Sequence, residues 1–453
     1  MLEERITEWR SYGLRRQAID AKDVDELEDH LRTQVADLRQ AGLDEEEAFL
    51  IAVKRLGDLD SLSREYAREY SERLWKRLVV APEGDESGAE WTKEALVAVG
   101  LAIAAGVAIK VPALFGMRLD APDPLSENPS FYARNLSLFV LPFLAGFFAW
   151  KRGPEPADRL WLAAPFVVAA FVVNFLPFAP MGNTEVLAAL HLPMALWLTV
   201  GVAYAGGRWR DHQLRMNYVR FSGEWFIYYA LIAFGGGVLM GITMFIFTAI
   251  GLDVEWLLNS WLLPCGAMGA VVIAGWLVEA KQSVIENMAP VLTMLFTPLF
   301  TLMLLAFLGT MVWTGSGINV EREVLIGFDL LLVVVVGLLL YAISARDPRK
   351  EPGFFDGLQL LLVVCAILVD TLALWAIVAR ISEFGFSPNK VAALGENLIL
   401  VVNLGWSAVL YAKFLLRQVG FTRLERWQTI YLPVYAVWAW VVVVIFPLVF
   451  SFR

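Results

Sequence analysis

Long apolar runs decide what this chain can fold into. Two of them read LLLVVVVGLLLYAI and VWAWVVVVIFPLVF, at residues 330–343 and 437–450. A helix needs about 20 apolar residues to cross the hydrocarbon core of a bilayer, and runs of this kind recur along the chain. A lipid-spanning barrel would need short segments of alternating polarity instead, and none are present in the sequence. The pattern predicts an all-α, polytopic helical membrane protein.

The composition of the chain supports this class. Of its 453 residues, 58% are hydrophobic and 18% are charged, against roughly 45–50% apolar and about 25% charged residues in soluble domains. A formal net charge of −9 predicts no nucleic-acid partner, because nucleic-acid surfaces are basic. The two cysteines lie inside apolar runs and the three histidines show no ligand spacing. We therefore expect no disulfide framework, no metal site and no cofactor.

About eleven membrane spans are predicted within a transmembrane domain of residues 93–453, after a linker at residues 77–92 rich in Pro, Gly and acidic residues. Their approximate bounds are 93–115, 134–151, 159–178, 184–206, 225–251, 255–280, 288–313, 323–344, 355–379, 391–416 and 428–450. The basic segment GRWRDHQLRMNYVRFSGEW, residues 207–225, is predicted to be an interfacial loop or a helix on the membrane surface.

The distribution of Lys and Arg predicts the orientation of the chain. If the N-terminus is cytoplasmic and the spans alternate, the inner loops hold about fifteen basic residues and the outer segments about six. This bias follows the positive-inside rule, under which cytoplasmic loops are rich in Lys and Arg. We therefore expect an odd number of spans and a C-terminus outside the cell.

Residues 1–76 lack membrane character and are predicted to form a cytoplasmic bundle of about three helices, preceded by a shorter amphipathic helix. Apolar residues from Val24 to Leu38 recur at spacings of three and four, as on one face of a helix. Asp44 is expected to cap a second helix, and Asp58 to begin a third. The second helix should bury Phe49, Ala52, Val53 and Leu56.

The run DVDELEDHLRTQVADLRQAGLDEEEAFLIAVKRLGDLDSLSREYA, residues 23–67, resembles the permease prefix domain. The ELEDHL, AGL-D-EEEAF and RLGD elements carry the likeness, which covers about the first 70 residues. That helical module precedes the membrane part of various bacterial permeases and other membrane proteins. The resemblance implies a cytoplasmic regulatory or interaction module that engages a protein partner, and it implies no chemistry.

A second resemblance covers most of the chain after about residue 90. FSGEWFIYYALIAFGGGVLMGIT, MAPVLTMLFTPLF and ARISEFGFSPNKVAALGENLILVVNLGWSAVLY together look like the family catalogued as domain of unknown function 4153. This likeness implies a multi-pass protein of a bacterial inner (plasma) membrane. It supplies no catalytic or binding residues.

Polar side chains inside the later apolar runs are the candidates for function. Carboxyl groups at such depth usually face a bundle interior or water and are paired. One hypothesis is a proton or ion relay, with Lys110 or Arg380 as a cationic partner of the deepest carboxyl. The other is a set of structural hydrogen bonds between helices. The candidate polar path consists of Asp329, Asp370, Glu396, Asn397 and Asn403.

The polar segment ARISEFGFSPNK, residues 379–390, is predicted to be an outer hinge between spans nine and ten. Its candidate residues are Arg380, Glu383 and Lys390. Because the two cations break the local charge trend, we expect Glu383, Asp370 or lipid phosphates to hold them. Ser387 or Asn389 should cap the following helix, with Pro388 in its first turn. We predict that the role of the hinge is structural first and functional second.

Within the fifth span, Gly237 and Gly241 have the spacing that lets two helices approach closely. The sixth span offers CGAMGA, residues 265–270, as a partner face. We expect this stretch to pack rather than to break the helix.

Enzyme signatures are absent from the sequence, which has no HExxH, GxSxG, Walker or CxxC motif. We expect a non-enzymatic protein of permease-like or channel-like type, embedded in the lipid bilayer and engaged in transport. The alternatives are a non-transporting membrane sensor or assembly scaffold, and a lipid-modifying enzyme. The enzyme would need Glu383, Asn389 and Lys390 to converge near the hinge.

Overall fold

A computed structural model describes residues 6, 21–40, 44–56, 86–117, 119, 128–280, 288–314 and 322–452. Every regular element in these ranges is helical, which confirms the all-α prediction. Ten of the described helices are long and apolar enough to cross a membrane, and a further apolar stretch, Asp329–Ala345, is shorter. The protein is therefore a multi-pass helical membrane protein.

Fifteen helices are labelled here in chain order. They are α1 (Ala21–Gln40), α2 (Glu45–Leu56), α3 (Glu86–Ala108), α4 (Asn128–Asn135), α5 (Leu141–Arg152), α6 (Pro156–Phe175), α7 (Asn183–Tyr204), α8 (His212–Ala249), α9 (Leu263–Ala280), α10 (Met288–Thr314), α11 (Arg322–Ala345), α12 (Phe354–Phe384), α13 (Pro388–Leu415), α14 (Thr422–Trp440) and α15 (Phe446–Val449).

The chain divides into two compact units. One contains Met1–Lys93 and Leu277–Asn287, and the other contains Glu94–Trp276 and Met288–Arg453.

Helices α1 and α2 pack against each other as their apolar spacing predicts. The buried apolar side chains of this small core are Ile6, Leu31, Val35, Leu38, Ala48, Phe49 and Ala52. Asp44 caps α2, because its Oδ1 accepts a hydrogen bond from the main-chain N–H of Glu47 at 2.8 Å. The predicted third helix from Asp58 lies outside the described residues, as does the linker up to residue 85. Beyond that point the predicted linker is already helical, since α3 begins at Glu86.

Prolines break the first two predicted spans. Helix α3 ends at Ala108, and Pro112 lies in a 3₁₀ turn, Val111–Phe115, that follows it. The second span is divided among α4, a 3₁₀ turn and α5, where Pro142 occupies the first turn of α5. Proline lacks the N–H that a helix interior needs, so it is accommodated at helix starts. From residue 159 onward, most predicted spans correspond to one helix each. The spans predicted at 255–280 and 428–450 are divided, because a π-helical segment precedes α9 and another separates α14 from α15.

The prediction for residues 207–225 is wrong for most of the segment. Instead of a loop or surface helix, these residues lead into α8, which continues for 38 residues, or about 57 Å at 1.5 Å per residue. Arg215 Nη1 donates to the Thr429 carbonyl at 2.9 Å, and Arg220 Nε donates to the Ser344 carbonyl at 3.1 Å. Because carbonyls of the protein hold these cations, the segment extends the span as one helix.

The expected packing of the GGGVLMG segment, residues 235–241, is also wrong. A Cβ added to any of its glycines would meet no atom within 4 Å. The small residues of α9 face α3 instead: a Cβ on Gly106 would lie 3.0 Å from the Cys265 carbonyl oxygen, and one on Gly269 would lie 3.3 Å from that of Ala102. Close approach thus occurs between α3 and α9.

The later helices, α10 to α14, form a bundle around one apolar core, to which the start of α8 contributes. Helices α12 and α13 pack together more extensively than any other described pair. Their buried faces hold the side chains singled out in the sequence, so this helix pair positions the candidate site.

Candidate functional site

Four of the five residues of the candidate polar path meet where α11, α12 and α13 pack. We call Asp329, Asp370, Glu396 and Asn397 the carboxyl cluster. Asp370 lies midway along α12 and is completely buried. Asp329 belongs to α11, and Glu396 and Asn397 are successive residues of α13. The cluster therefore brings together residues that lie up to 68 positions apart in the sequence.

Asn397 connects two helices of the cluster. Its Nδ2 donates to Asp329 Oδ1 at 2.8 Å and to the carbonyl oxygen of Ala393 at 2.8 Å. Asp329 is also near enough for a charge on its carboxyl to act on the carboxyls of Asp370 and Glu396. The three acidic side chains therefore share one electrostatic environment.

Hydrogen-bond donors are scarce in the carboxyl cluster. Neither oxygen of Asp370 accepts a hydrogen bond from another group of the described chain, and Asn397 Oδ1 accepts none either. A buried charge without a partner is expensive, so a charge on Asp370 calls for a compensating cation or a proton. Among the described residues, no three His, Cys, Asp or Glu side chains could hold a metal ion together.

The two cations expected to pair with Asp370 are elsewhere. Lys110 Nζ lies 5.1 Å from the ring centroid of Trp261. Arg380 is only half-buried near the end of α12. Neither forms an ion pair with Asp370 in the part of the chain that the structure describes. The carboxyl cluster therefore keeps an excess of acidic groups.

Asn403, the fifth residue of the candidate path, belongs to a separate network between α13 and α14. Its Nδ2 donates to Gln428 Oε1 at 3.0 Å, and Gln428 Nε2 donates to Ser407 Oγ at 2.7 Å. Ser407 Oγ in turn donates to the main-chain oxygen of Asn403 at 2.7 Å. All three side chains are completely buried. Because their bonds are satisfied by one another, this network joins helices and offers no open position.

We predict that Gln428→Leu lowers the free energy of unfolding by about 2–3 kcal/mol, because it leaves buried polar atoms of Asn403 and Ser407 without partners. Thermal unfolding of the purified protein in detergent measures the change. The matched control is Gln418→Leu at an exposed position, which should leave the midpoint unchanged. Equal midpoints for both variants would contradict the structural role of the network.

The hinge predicted at residues 379–390 is organised by main-chain groups rather than by ion pairs. Lys390 Nζ donates to the carbonyl oxygen of Gly385 at 2.9 Å and to that of Arg380 at 3.3 Å. The last carbonyls of a helix lack partners within the helix, and a cation satisfies them well. Glu383 is exposed. The described chain therefore gives Lys390 a capping role at the C-terminal end of α12, and not the predicted pairing with Glu383 or Asp370.

The turn itself depends on Gly385, whose φ of +73° and ψ of 179° place it in a region open only to glycine. Pro388 occupies the first turn of α13, as predicted. Ser387 holds the N-cap position, but its side chain makes no capping hydrogen bond. Asn389 Nδ2 instead donates to Asn183 Oδ1 at 2.6 Å. The predicted side-chain cap is therefore wrong.

One well-anchored ion pair, between Arg346 and Asp356, is not predicted by the sequence pattern. Arg346 Nε and Nη2 donate to the two oxygens of Asp356 at 2.7 and 3.0 Å. Its guanidinium carbon lies 4.7 Å from the ring centroid of Phe414 and 4.4 Å from that of Phe421. Gly353 N–H also donates to Asp356 Oδ2 at 2.8 Å. This clamp fixes the loop between α11 and α12.

A row of buried threonines was also not predicted from the sequence. Thr293, Thr297 and Thr301 recur every four residues on one face of α10. Gln359 of α12 donates through Nε2 to Thr297 Oγ1 at 2.9 Å. The four-residue spacing of hydroxyl groups in an otherwise apolar run was the available signal. It places a polar contact between α10 and the half of α12 that precedes Asp370.

Comparison with protein-family models, with curated proteins and with solved structures finds no match to this chain. The candidate function therefore rests on the geometry of the chain's own residues.

Proposed function

We propose that this protein is a permease-like or channel-like membrane protein whose path for protons or a proton-coupled solute passes through the carboxyl cluster. The observation that carries the proposal is the Asp370 carboxyl, which is completely buried and accepts no hydrogen bond from the described chain. A structural carboxyl at such depth is normally paired. A carboxyl without a fixed donor is free to gain and lose a proton.

Two features of the surroundings support this proposal. Asp329 and Glu396 are half-buried, so they can pass a proton between the surroundings and the buried Asp370. On the opposite side, the apolar residues Leu362, Val363 and Ala366 of α12 are completely buried and separate Asp370 from Gln359. Half-buried carboxyls next to a buried carboxyl and a buried apolar stretch are compatible with a gated path.

The remainder of the proposal concerns the setting of the chain. We place it in a bacterial inner (plasma) membrane with a cytoplasmic N-terminus and an outer C-terminus. Residues 1–76 act in the cytoplasm as a regulatory or interaction module for a protein partner, and the chain carries out no enzymatic reaction. The charge distribution and the two family resemblances support these statements.

Proton flux through the wild-type protein tests the proposal. Full-length protein is reconstituted in liposomes that contain a pH-sensitive dye, and a pH difference is imposed with valinomycin and K⁺ present to cancel the membrane potential. We expect dissipation of the pH difference well above that of protein-free liposomes. Because a proton-coupled permease conducts only with its solute, the same assay is repeated across classes of solute.

A non-transporting sensor or assembly scaffold is the second candidate. The closed network of Asn403, Ser407 and Gln428 favours it, because this network holds helices together without an open position. Under this alternative no solute changes the proton flux, and the carboxyl cluster serves only packing. The lipid-modifying enzyme is not supported, since Asn389 and Lys390 are directed to different partners at the hinge.

A further inference from the structure

An apolar groove of about 930 Å³ lies in the membrane-spanning part of the chain, away from the carboxyl cluster. Helices α3, α8 and α9 and the turn that precedes α9 form its walls. Its volume is near the upper end of the range for drug-sized ligands. Representative lining residues are Val99, Ile103, Ile232, Trp261, Gly266 and Ile273.

The groove has one charged lining residue, Lys110, and its described lining contains no Asp or Glu. Lys110 follows the end of α3, where the 3₁₀ turn Val111–Phe115 begins. Its ammonium group lies over the Trp261 ring, 5.1 Å from the centroid, and pairs with no carboxylate among the described residues. The apolar lining of the groove suits the acyl chains of a phospholipid, and the cation at the end of α3 suits its headgroup phosphate.

Part of the groove lining is apolar and exposed. The residues Ile103, Val107 and Leu114 are 62%, 56% and 83% exposed. In a membrane-spanning helix such residues face acyl chains, so the groove opens toward lipid rather than toward water. A cation in a pocket between membrane helices attracts an anionic headgroup.

We infer that this groove binds one anionic phospholipid, with an acyl chain along α3 and α9 and the headgroup phosphate at Lys110. Apolar burial gives the acyl chain its affinity. Lys110 supplies the preference for a net negative headgroup, and the Trp261 ring holds the lysine ammonium group in place. The lipid occupies space that the side chains of the described residues leave open.

Native mass spectrometry of the full-length protein in detergent tests this inference with phosphatidylglycerol and phosphatidylcholine of identical chains. We expect the first phosphatidylglycerol to bind about fivefold more tightly than phosphatidylcholine, as one lysine near a phosphate implies. Lys110→Gln should remove that preference and leave phosphatidylcholine binding unchanged, while Lys110→Arg should retain it.

The acyl part of the site is tested by Gly266→Leu. Gly266 lines the groove, and a Cβ added there meets no atom within 4 Å, so the leucine side chain starts from open space. We expect weaker binding of both lipids. Gly100→Leu is the matched control, because Gly100 also has open space but lies on α3 outside the groove lining.

The inference is overturned by equal binding of the two lipids to the wild type. It is overturned equally by a phosphatidylglycerol preference that survives Lys110→Gln, or by Gly266→Leu binding like Gly100→Leu. None of these outcomes bears on Asp370, so the lipid site and the proposed path stand or fall separately.

Discussion

Replacement of Asp370 by Asn should reduce proton-coupled flux in proteoliposomes by about 100-fold or more, the scale on which a positioned proton-transfer group acts. Asn has nearly the same shape as Asp but cannot gain and lose a proton. Because neither Asp370 oxygen accepts a hydrogen bond from the described chain, the change removes no such contact. We therefore expect an unchanged unfolding midpoint beside a lost flux.

Glu383→Gln provides the matched control for this experiment. It neutralises a carboxyl on the same helix, but at the exposed hinge. Flux through this variant should equal that of the wild type. If Asp370→Asn conducts normally, the carboxyl cluster has no part in transport. If Asp370→Asn unfolds instead at lower temperature with flux per folded molecule intact, Asp370 is a structural group.

Removal of the Arg346 side chain should lower the free energy of unfolding by about 3–5 kcal/mol, the usual cost of breaking a buried ion pair at one partner. Arg346→Ala leaves Asp356, which is only 5% exposed, without its bidentate partner. The carbonyls of the following loop and two aromatic rings lose their cation as well. Chemical denaturation of the full-length protein in detergent measures the loss.

Two further variants identify the cause of that loss. In Arg346→Ala combined with Asp356→Asn, the buried charge is gone, so part of the stability should return. Arg417→Ala breaks the ion pair between Arg417 and Glu351, in which the two side chains are 69% and 76% exposed. This change should alter stability little, because exposed ion pairs contribute little. A loss for Arg346→Ala no larger than that for Arg417→Ala would show that the clamp does not stabilise the fold.

The sequence predicts the helices of this protein well because apolar runs of membrane length admit few other structures. It also identifies Asp370, Glu396 and Asn397 as unusual, since polar groups are rare inside such runs. Their meeting with Asp329 could not be read from the chain. Convergence depends on which faces of α11, α12 and α13 are turned toward one another, and an all-apolar helix carries no strong directional pattern.

The failures have related physical causes. The length of α8 was missed because its basic first turns resemble a membrane-surface segment, whereas carbonyls of Thr429 and Ser344 satisfy them. The charge distribution does not reveal the ion pair of Arg346 with Asp356, because a cation near a span end is usually a topology signal. The hydrogen bond of Asn403 to Gln428 could not be predicted, because the two residues lie in different helices and the sequence does not show which helix faces pack together. In each case a partner distant in sequence decided the role.

The form of α8 has a consequence for how its sequence can vary. Its first turns, which contain the buried Met216, Tyr218 and Phe221, contact other helices. From Phe226 onward most of its large apolar side chains are exposed, and lipid tails accept any apolar shape. Random substitution should therefore reveal a boundary near Trp225: before it few changes are accepted, and after it most apolar exchanges leave the protein intact.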